Sequence, residues 1–178
     1  MADWGRFARR VRIPLGFAFA ALYLFLAKPS WTSIGAGSAI IVAGLLLRAW
    51  ASGHVAKAAE ITQSGPYAYT RNPLYLGSIV IGIGFGVASR DVWVGVGLLV
   101  LLLAIYIPTI RWEERWLRAN LSGFDAYAAR VPRLFPRLVP AGTPGRYSRA
   151  RYLKHREYNA LLGALAMLAA LIIKLHFF

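Results

Sequence analysis

The chain has 178 residues, 58% of them hydrophobic, and carries a formal net charge of +14. That length allows one domain. The absence of cysteine excludes a disulfide framework, a thiolate metal site and a cysteine nucleophile.

In chain order, Arg6, Arg9, Arg10 and Arg12 precede a first apolar run at 13–27, with Pro14 near its start. A basic start followed by an apolar run is the pattern of a signal peptide. Here Lys28-Pro29 closes the run in place of a small-residue cleavage site, so an uncleaved first span is expected. The second run, 34–47, is broken only by Gly35, Gly37, Ser38 and Gly44, which let membrane helices approach closely. Arg48, His54, Lys57 and Glu60 follow, and then a polar, turn-forming stretch at 65–77. Gly65-Pro66 signals a turn. Pro73 suits the first position of a helix, and Asn72 before it suits an N-cap whose side-chain oxygen takes a free backbone N–H. The third run is 74–88 and the fourth is 92–110, ending at Pro108; Arg90-Asp91 between them predicts a tight hairpin. The fourth continues outward as a helix, Arg111-Trp112-Glu113-Glu114-Arg115-Trp116-Leu117. A proline-punctuated tail follows, Val131-Pro132-Arg133-Leu134-Phe135-Pro136. The fifth run, 160–178, places Lys174 and His176 near enough to its end to snorkel. The expectation is an all-α integral membrane protein with five transmembrane helices in a single domain over residues 1–178. Runs of about 15 residues give roughly 22 Å of helix, so flanking residues must complete those spans.

Threading five spans with the N-terminus inside leaves Lys28, Arg90 and Lys174 outside and the rest of the 21 Lys and Arg residues inside. The positive-inside rule then predicts N-in, C-out, with the basic charge set against anionic lipid headgroups. Nothing in this pattern calls for a nucleic-acid partner. The localisation implied is a bacterial inner membrane. The 65–77 stretch and the basic segment 111–157 then fall on one cytoplasmic face.

Two of only seven acids, Glu113 and Glu114, are adjacent at a membrane exit. Local pairing of Glu114 with Arg111 and Arg118 along the helix is the simplest role. Adjacent residues do not share a helix face, so one carboxylate can pair locally while the other turns into the bundle, where a charge reads as functional. Gly82-Ile83-Gly84-Phe85-Gly86 lacks the spacing and setting of a dinucleotide fingerprint, and close helix packing is the better account. His54, His155 and His176 have no partner at metal spacing, so no metal is expected. Trp112 and Trp116 read as interfacial anchors, either of which could line a pocket.

Gly65-Pro66-Tyr67-x-Tyr69-x-Arg71-Asn72-Pro73-x-Tyr75-x-Gly77, then a hairpin, then Glu113-Glu114-x-x-Leu117, then Tyr127-x-x-x-Val131-Pro132-Arg133-x-x-Pro136, resembles the isoprenylcysteine carboxyl methyltransferase family, grouped with the phospholipid N-methyltransferases. The match covers about residues 60–137, with an additional C-terminal helix at about 159–178. The resemblance implies an S-adenosylmethionine-dependent membrane methyltransferase, with S-adenosylhomocysteine as product and a cytoplasmic cofactor pocket in the C-terminal half. Carried over, Tyr67, Arg71, Asn72, Pro73, Tyr75, Leu76 and Gly77 shape the cofactor pocket. Glu113 and Glu114 bind cofactor or position the reaction with Arg71, and Tyr127 and Arg133 close the site. The family usually has His at the position of Asn72. An amide hydrogen-bonds but never carries a proton, so a titrating base is absent there.

The chemistry suits these residue types. An arginine fork takes a carboxylate, a Glu takes an ammonium or ribose hydroxyls, and Tyr67, Tyr75 or Trp112 can face a sulfonium by cation–π contact. Methyl transfer mainly needs alignment of donor and acceptor. A carboxylate acceptor needs no base, so the missing His leans toward a carboxylate or thiol acceptor. A lipophilic small-molecule acceptor would enter from the bilayer, among membrane lipids, and meet the cofactor at the cytoplasmic mouth. The alternatives are a phospholipid (ethanolamine) N-methyltransferase, an NADPH-dependent sterol-type reductase and a non-catalytic lipid-binding homologue.

Overall fold

The computed structural model describes residues 18–55, 60–143 and 145–177. The described residues are helical, with no strand. In chain order they form α1 (18–26), α2 (Trp31–His54), a 3-10 turn (Gly65–Ala68), α3 (Pro73–Ser89), α4 (Val92–Asn120), α5 (Phe124–Arg130), α6 (Arg149–Lys154) and α7 (Tyr158–Phe177). The N-terminal arginines, Pro14, Lys57 and the first residues of the 13–27 run lie outside the described residues.

Three helices, α2, α4 and α7, are long and apolar enough to cross a membrane. The fourth apolar helix, α3, has 17 residues and falls short. Only 18–26 of the first run is described, so three of the five expected spans meet the length requirement. The outer faces carry exposed Leu46, Trp93, Val100, Ile105, Leu162 and Ile173. Apolar surface on that scale marks a lipid-facing bundle. The helix of the fourth run does not stop at Pro108 but continues to Asn120. Pro108 removes one backbone donor without ending the helix, and Thr109 Oγ1 donates to the Ile105 carbonyl at 2.7 Å beside it.

Glycine spacing sets the layering. α3 lies between α2 and α4. On one side, Gly44 faces the Gly77 carbonyl and Gly37 faces the Gly84 carbonyl, so α2 and α3 touch backbone to backbone. On the other side, Gly86 meets Gly95 of α4, and Gly82 meets Leu102. The expected α3–α4 hairpin is present. Arg90 adopts a left-handed φ of 53° as the C-cap of α3, and the Asp91 side chain accepts from the N–H groups of Trp93 and Val94 to start α4.

Two apolar clusters mark the ends. At one end, Tyr23, Ala27, Ile34, Ala88, Val94 and Leu171 join α1, α2, α3, α4 and α7. The Tyr23 hydroxyl donates to the Phe85 carbonyl at 2.7 Å, and Lys174 Nζ donates to the Leu24 carbonyl at 2.6 Å. At the other end, Phe124, Tyr127 and Val131 pack with Ile61 and Leu117. There the tail after α5 runs back along the 63–71 stretch. The N–H groups of Arg137, Ala141 and Thr143 donate to the carbonyls of Tyr69, Ala68 and Gln63.

A Cβ built on Gly44 would stand 2.7 Å from the Gly77 carbonyl oxygen, whereas one on Gly35 meets nothing within 4 Å. Gly44→Ala is therefore expected to lower stability by about 1–3 kcal/mol through overpacking. Gly35→Ala should be neutral or stabilising by up to about 1 kcal/mol from helix propensity. Thermal melts of the two variants in detergent test the contrast.

Candidate functional site

The second apolar cluster supports a cavity of about 570 Å³ at the same end of the bundle. It is walled by the C-terminal part of α2, the 60–78 segment, the C-terminal half of α4, α5 and the turn before α7. The two polar stretches singled out in the sequence meet here. Arg71 Nε lies 3.0 Å from Glu114 Oε1.

Glu114 is the hub. Its carboxylate is 5% exposed and contacts Arg71 through Oε1 and Arg133 through Oε2, at 2.9 Å from Nε and 2.8 Å from Nη2. The Asn72 amide also donates to Oε1, at 3.3 Å, and to the Arg133 carbonyl at 2.9 Å. The alternative of local pairing with Arg111 and Arg118 is not what the structure shows. Arg118 pairs instead with Asp125 at 2.7 Å, because Glu114 is turned inward where Arg71 and Arg133 converge. Asn72 stands at the N-cap position of α3, but its side chain makes no capping bond. The amide is already engaged by Glu114 and Arg133, so the expected capping role is replaced by a tertiary one.

Arg71 is fixed from several sides. Its Nη1 donates to the Ala128 carbonyl at 2.9 Å and its backbone N–H to the Pro132 carbonyl at 2.9 Å. The guanidinium lies 6.0 Å from the Phe124 ring centre. The Nε–Glu114 contact is an ion pair by distance, yet the buried N–H has no aligned acceptor. The charge attraction is set by distance and stands; only the directional bond is missing.

Glu113 is the second inward carboxylate. It accepts from the Tyr75 hydroxyl at 2.8 Å, and the Tyr75 ring packs on Tyr106 with 5.0 Å between centres. Tyr67 and Tyr127 are both buried, and the Tyr127 hydroxyl donates to the Tyr67 carbonyl at 2.8 Å. Burial is the main cause holding both phenols above their ordinary range, so they act as neutral hydrogen-bonding groups.

Of the expected site residues, Tyr67, Arg71, Asn72, Pro73, Tyr75, Glu113, Glu114 and Tyr127 line the cavity. Leu76, Gly77 and Arg133 do not. Gly77 is buried against Gly44 and Arg48 of α2, and Arg133 acts from behind by holding Glu114. Trp112 and Trp116, read first as interfacial anchors, do line it. Sequence reasoning missed Glu60, Ser78, Tyr106 and the pair formed by Arg48 and Glu157. Arg48 donates to Glu157 Oε2 through Nε at 3.1 Å and Nη2 at 2.7 Å. Its Nη1 donates to Ser78 Oγ and, at 3.2 Å, to the Leu74 carbonyl. The scarcity of acids was the available signal. Glu60, Glu113, Glu114 and Glu157 all line this cavity, in a chain with seven acids and a net charge of +14. Against them stand Arg48 and Arg71 as the lining cations.

A second, mostly apolar hollow of about 300 Å³ lies between α3, α4 and α7, bounded by Ile81, Phe85, Leu98, Leu102 and Ala164. Arg48, Ser78 and Tyr106 line both spaces, so the apolar groove meets the polar cup at those three residues. Among the described residues no three His, Asp or Glu side chains gather as a metal-binding group.

Replacing Glu114 by Gln leaves two arginines facing a neutral amide. Stability should fall by about 3 kcal/mol, as for one partner of a buried pair. Glu113→Gln retains an acceptor for Tyr75 and should cost less than about 1 kcal/mol. Chemical denaturation in mild detergent distinguishes the two.

A family model described as phospholipid methyltransferase matches residues 32–122. The chain is 29% identical over 124 residues to the nickel-cobalt-cadmium resistance protein NccN of Alcaligenes xylosoxydans xylosoxydans, covering 65% of this chain and 58% of that protein. It is 35% identical over 78 residues to the cobalt-zinc-cadmium resistance protein CzcN of Cupriavidus metallidurans, covering 44% of this chain and 36% of that protein. The chain thus spans less than two thirds of either relative. No solved structure matches it. The matched segment runs from α2 through the Glu113-Glu114 pair and takes in most of the cup, and on that extent the chain belongs to the phospholipid methyltransferase family.

Proposed function

We propose that the protein transfers a methyl group from S-adenosylmethionine to a lipophilic acceptor at the cytoplasmic face of a bacterial inner membrane. The observation that carries this reading is an acid-rich polar cup set against an apolar groove, with Arg48, Ser78 and Tyr106 lining both. A water-soluble donor and a lipid-borne acceptor need such a junction.

The cup fits the donor's chemistry. S-adenosylmethionine carries a sulfonium, an ammonium and one carboxylate, so its net charge is positive, and four lining carboxylates against two arginines favour a cation. Arg71, which lines the cup, suits the donor's carboxylate. Glu113 suits the ammonium or the ribose hydroxyls. Trp112, Tyr75 and Tyr106 provide ring faces for a sulfonium, each such contact contributing ~0.5–2 kcal/mol. When bound, the cofactor supplies an electrophilic methyl group. The chain's own part is to hold the acceptor in line, a contribution of roughly 7–11 kcal/mol at best. It also keeps water from the junction. Asn72 takes no proton here, because an amide is not a base; its nitrogen donates to Glu114 and to the Arg133 carbonyl.

The orientation with the cup inside is supported by the concentration of basic residues at that end of the threading. Lipids then serve both as solvent and as the reservoir for the acceptor. The metal-resistance names are those of the relatives; in this chain two of the four cup carboxylates, Glu114 and Glu157, are held by arginines.

Calorimetry on detergent-purified protein should show saturable S-adenosylmethionine binding, and no binding at millimolar cofactor would defeat the reading. Glu113→Gln should weaken that binding tenfold or more, about 1.4 kcal/mol. Incubation with methyl-labelled cofactor followed by lipid extraction should place label in the organic phase.

A further inference from the structure

The Arg48–Glu157 pair sits where the cup meets the groove, and neither residue is needed to explain how the cup holds a cofactor. Arg48 comes from α2. Glu157 comes from the turn before α7, beyond the 32–122 segment that the family model matches. The turn is strained: Arg156, next to Glu157, has a φ of 53° in the left-handed region. A non-glycine residue there costs of the order of 1–2 kcal/mol. That conformation steers the carboxylate inward, where its side chain is 9% exposed.

We propose that Glu157 is a specificity-determining residue that sets the charge class of the acceptor: by occupying Arg48 it turns anionic head groups away from the junction and admits neutral or cationic ones. The proposal rests on reading the groove as the acceptor's site. Four of the five guanidinium N–H donors are committed: Nε and one N–H of Nη2 go to Glu157, and Nη1 goes to Ser78 and the Leu74 carbonyl. An acceptor carboxylate or phosphate gains a bidentate hold on Arg48 only by displacing Glu157. The displaced carboxylate would then stand without a partner in a cavity that already holds Glu60, Glu113 and Glu114. Leaving a buried charge unpaired is strongly unfavourable. An ammonium head or a neutral one displaces nothing and enters a site with excess negative charge. The lean toward a carboxylate acceptor drawn from the absent His is therefore opposed by a residue outside the motif.

The test uses the full chain in phosphatidylcholine nanodiscs without cofactor, with tritiated dodecylamine and tritiated dodecanesulfonate as probes and empty nanodiscs as the partition control. The parent should retain the amine about tenfold more strongly than the sulfonate. Glu157→Gln frees Arg48 and should bring the ratio to unity or invert it, while Glu157→Asp keeps the parental ratio. The double variant Arg48→Gln with Glu157→Gln leaves no free arginine and keeps the parental excess of carboxylates in the cavity, so it should again favour the amine. A parent that shows no preference or favours the sulfonate overturns the proposal. So does a Glu157→Gln variant that melts earlier yet keeps the parental ratio, because the pair would then only brace α2 against α7. Failure of S-adenosylmethionine binding defeats the methyl-transfer reading alone, since the probe ratio is read without cofactor.

Discussion

The structure depends on one buried carboxylate. Glu114 draws Arg71, Asn72 and Arg133 to a single point, the first two from the loop before α3 and the third from the tail after α5. A charge of that kind in a lipid-embedded bundle is unfavourable unless its lone pairs are met. The requirement orders the loop before α3 and the tail after α5 together. Backbone pairing between the 63–71 stretch and the tail completes the wall. The cup is what remains on the inner side of that arrangement.

Helix packing and site chemistry use different residues on the same helices. Along α3, Gly77 and Gly84 let α2 approach, Gly82 and Gly86 face α4, and Tyr75 and Ser78 open toward the cavities. A side chain on Gly77 or Gly84 would separate α2 from α3 and so move Arg48 away from Ser78. The close approach of α2 and α3 is therefore a precondition for the junction between polar and apolar spaces. The weak burial of α4 along its apolar half is the counterpart: its outward residues are satisfied by lipid, and only its last turns face the cup.

Charge is sorted more sharply than composition suggests. Basic residues dominate the chain and its exposed polar segments, while the scarce acids converge on one hollow. A basic exterior suits anionic headgroups, and an acidic interior suits a cationic ligand. The two preferences oppose each other within a few turns of helix. The arginine pairs at Glu114 and Glu157 hold the boundary.

Much of the fold and part of the site were legible in the sequence. The apolar runs, the Arg90-Asp91 hairpin and the small residues of α2 follow from composition, turn propensity and the need for close packing, all local properties. The 65–77 and 113–114 stretches stood out because polar groups beside lipid need a reason to be there. Local rules misplaced two details. Glu114 has arginines at helical spacing but pairs elsewhere, and the Asn72 side chain leaves the helix end it could cap. In both, a tertiary partner outcompetes the nearby one. Arg48 and Glu157 lie 109 residues apart, and no period or motif links them. Only the folding of α7 against α2 decides that these two charges meet, because burial selects partners by position in space, and sequence separation has no bearing on it.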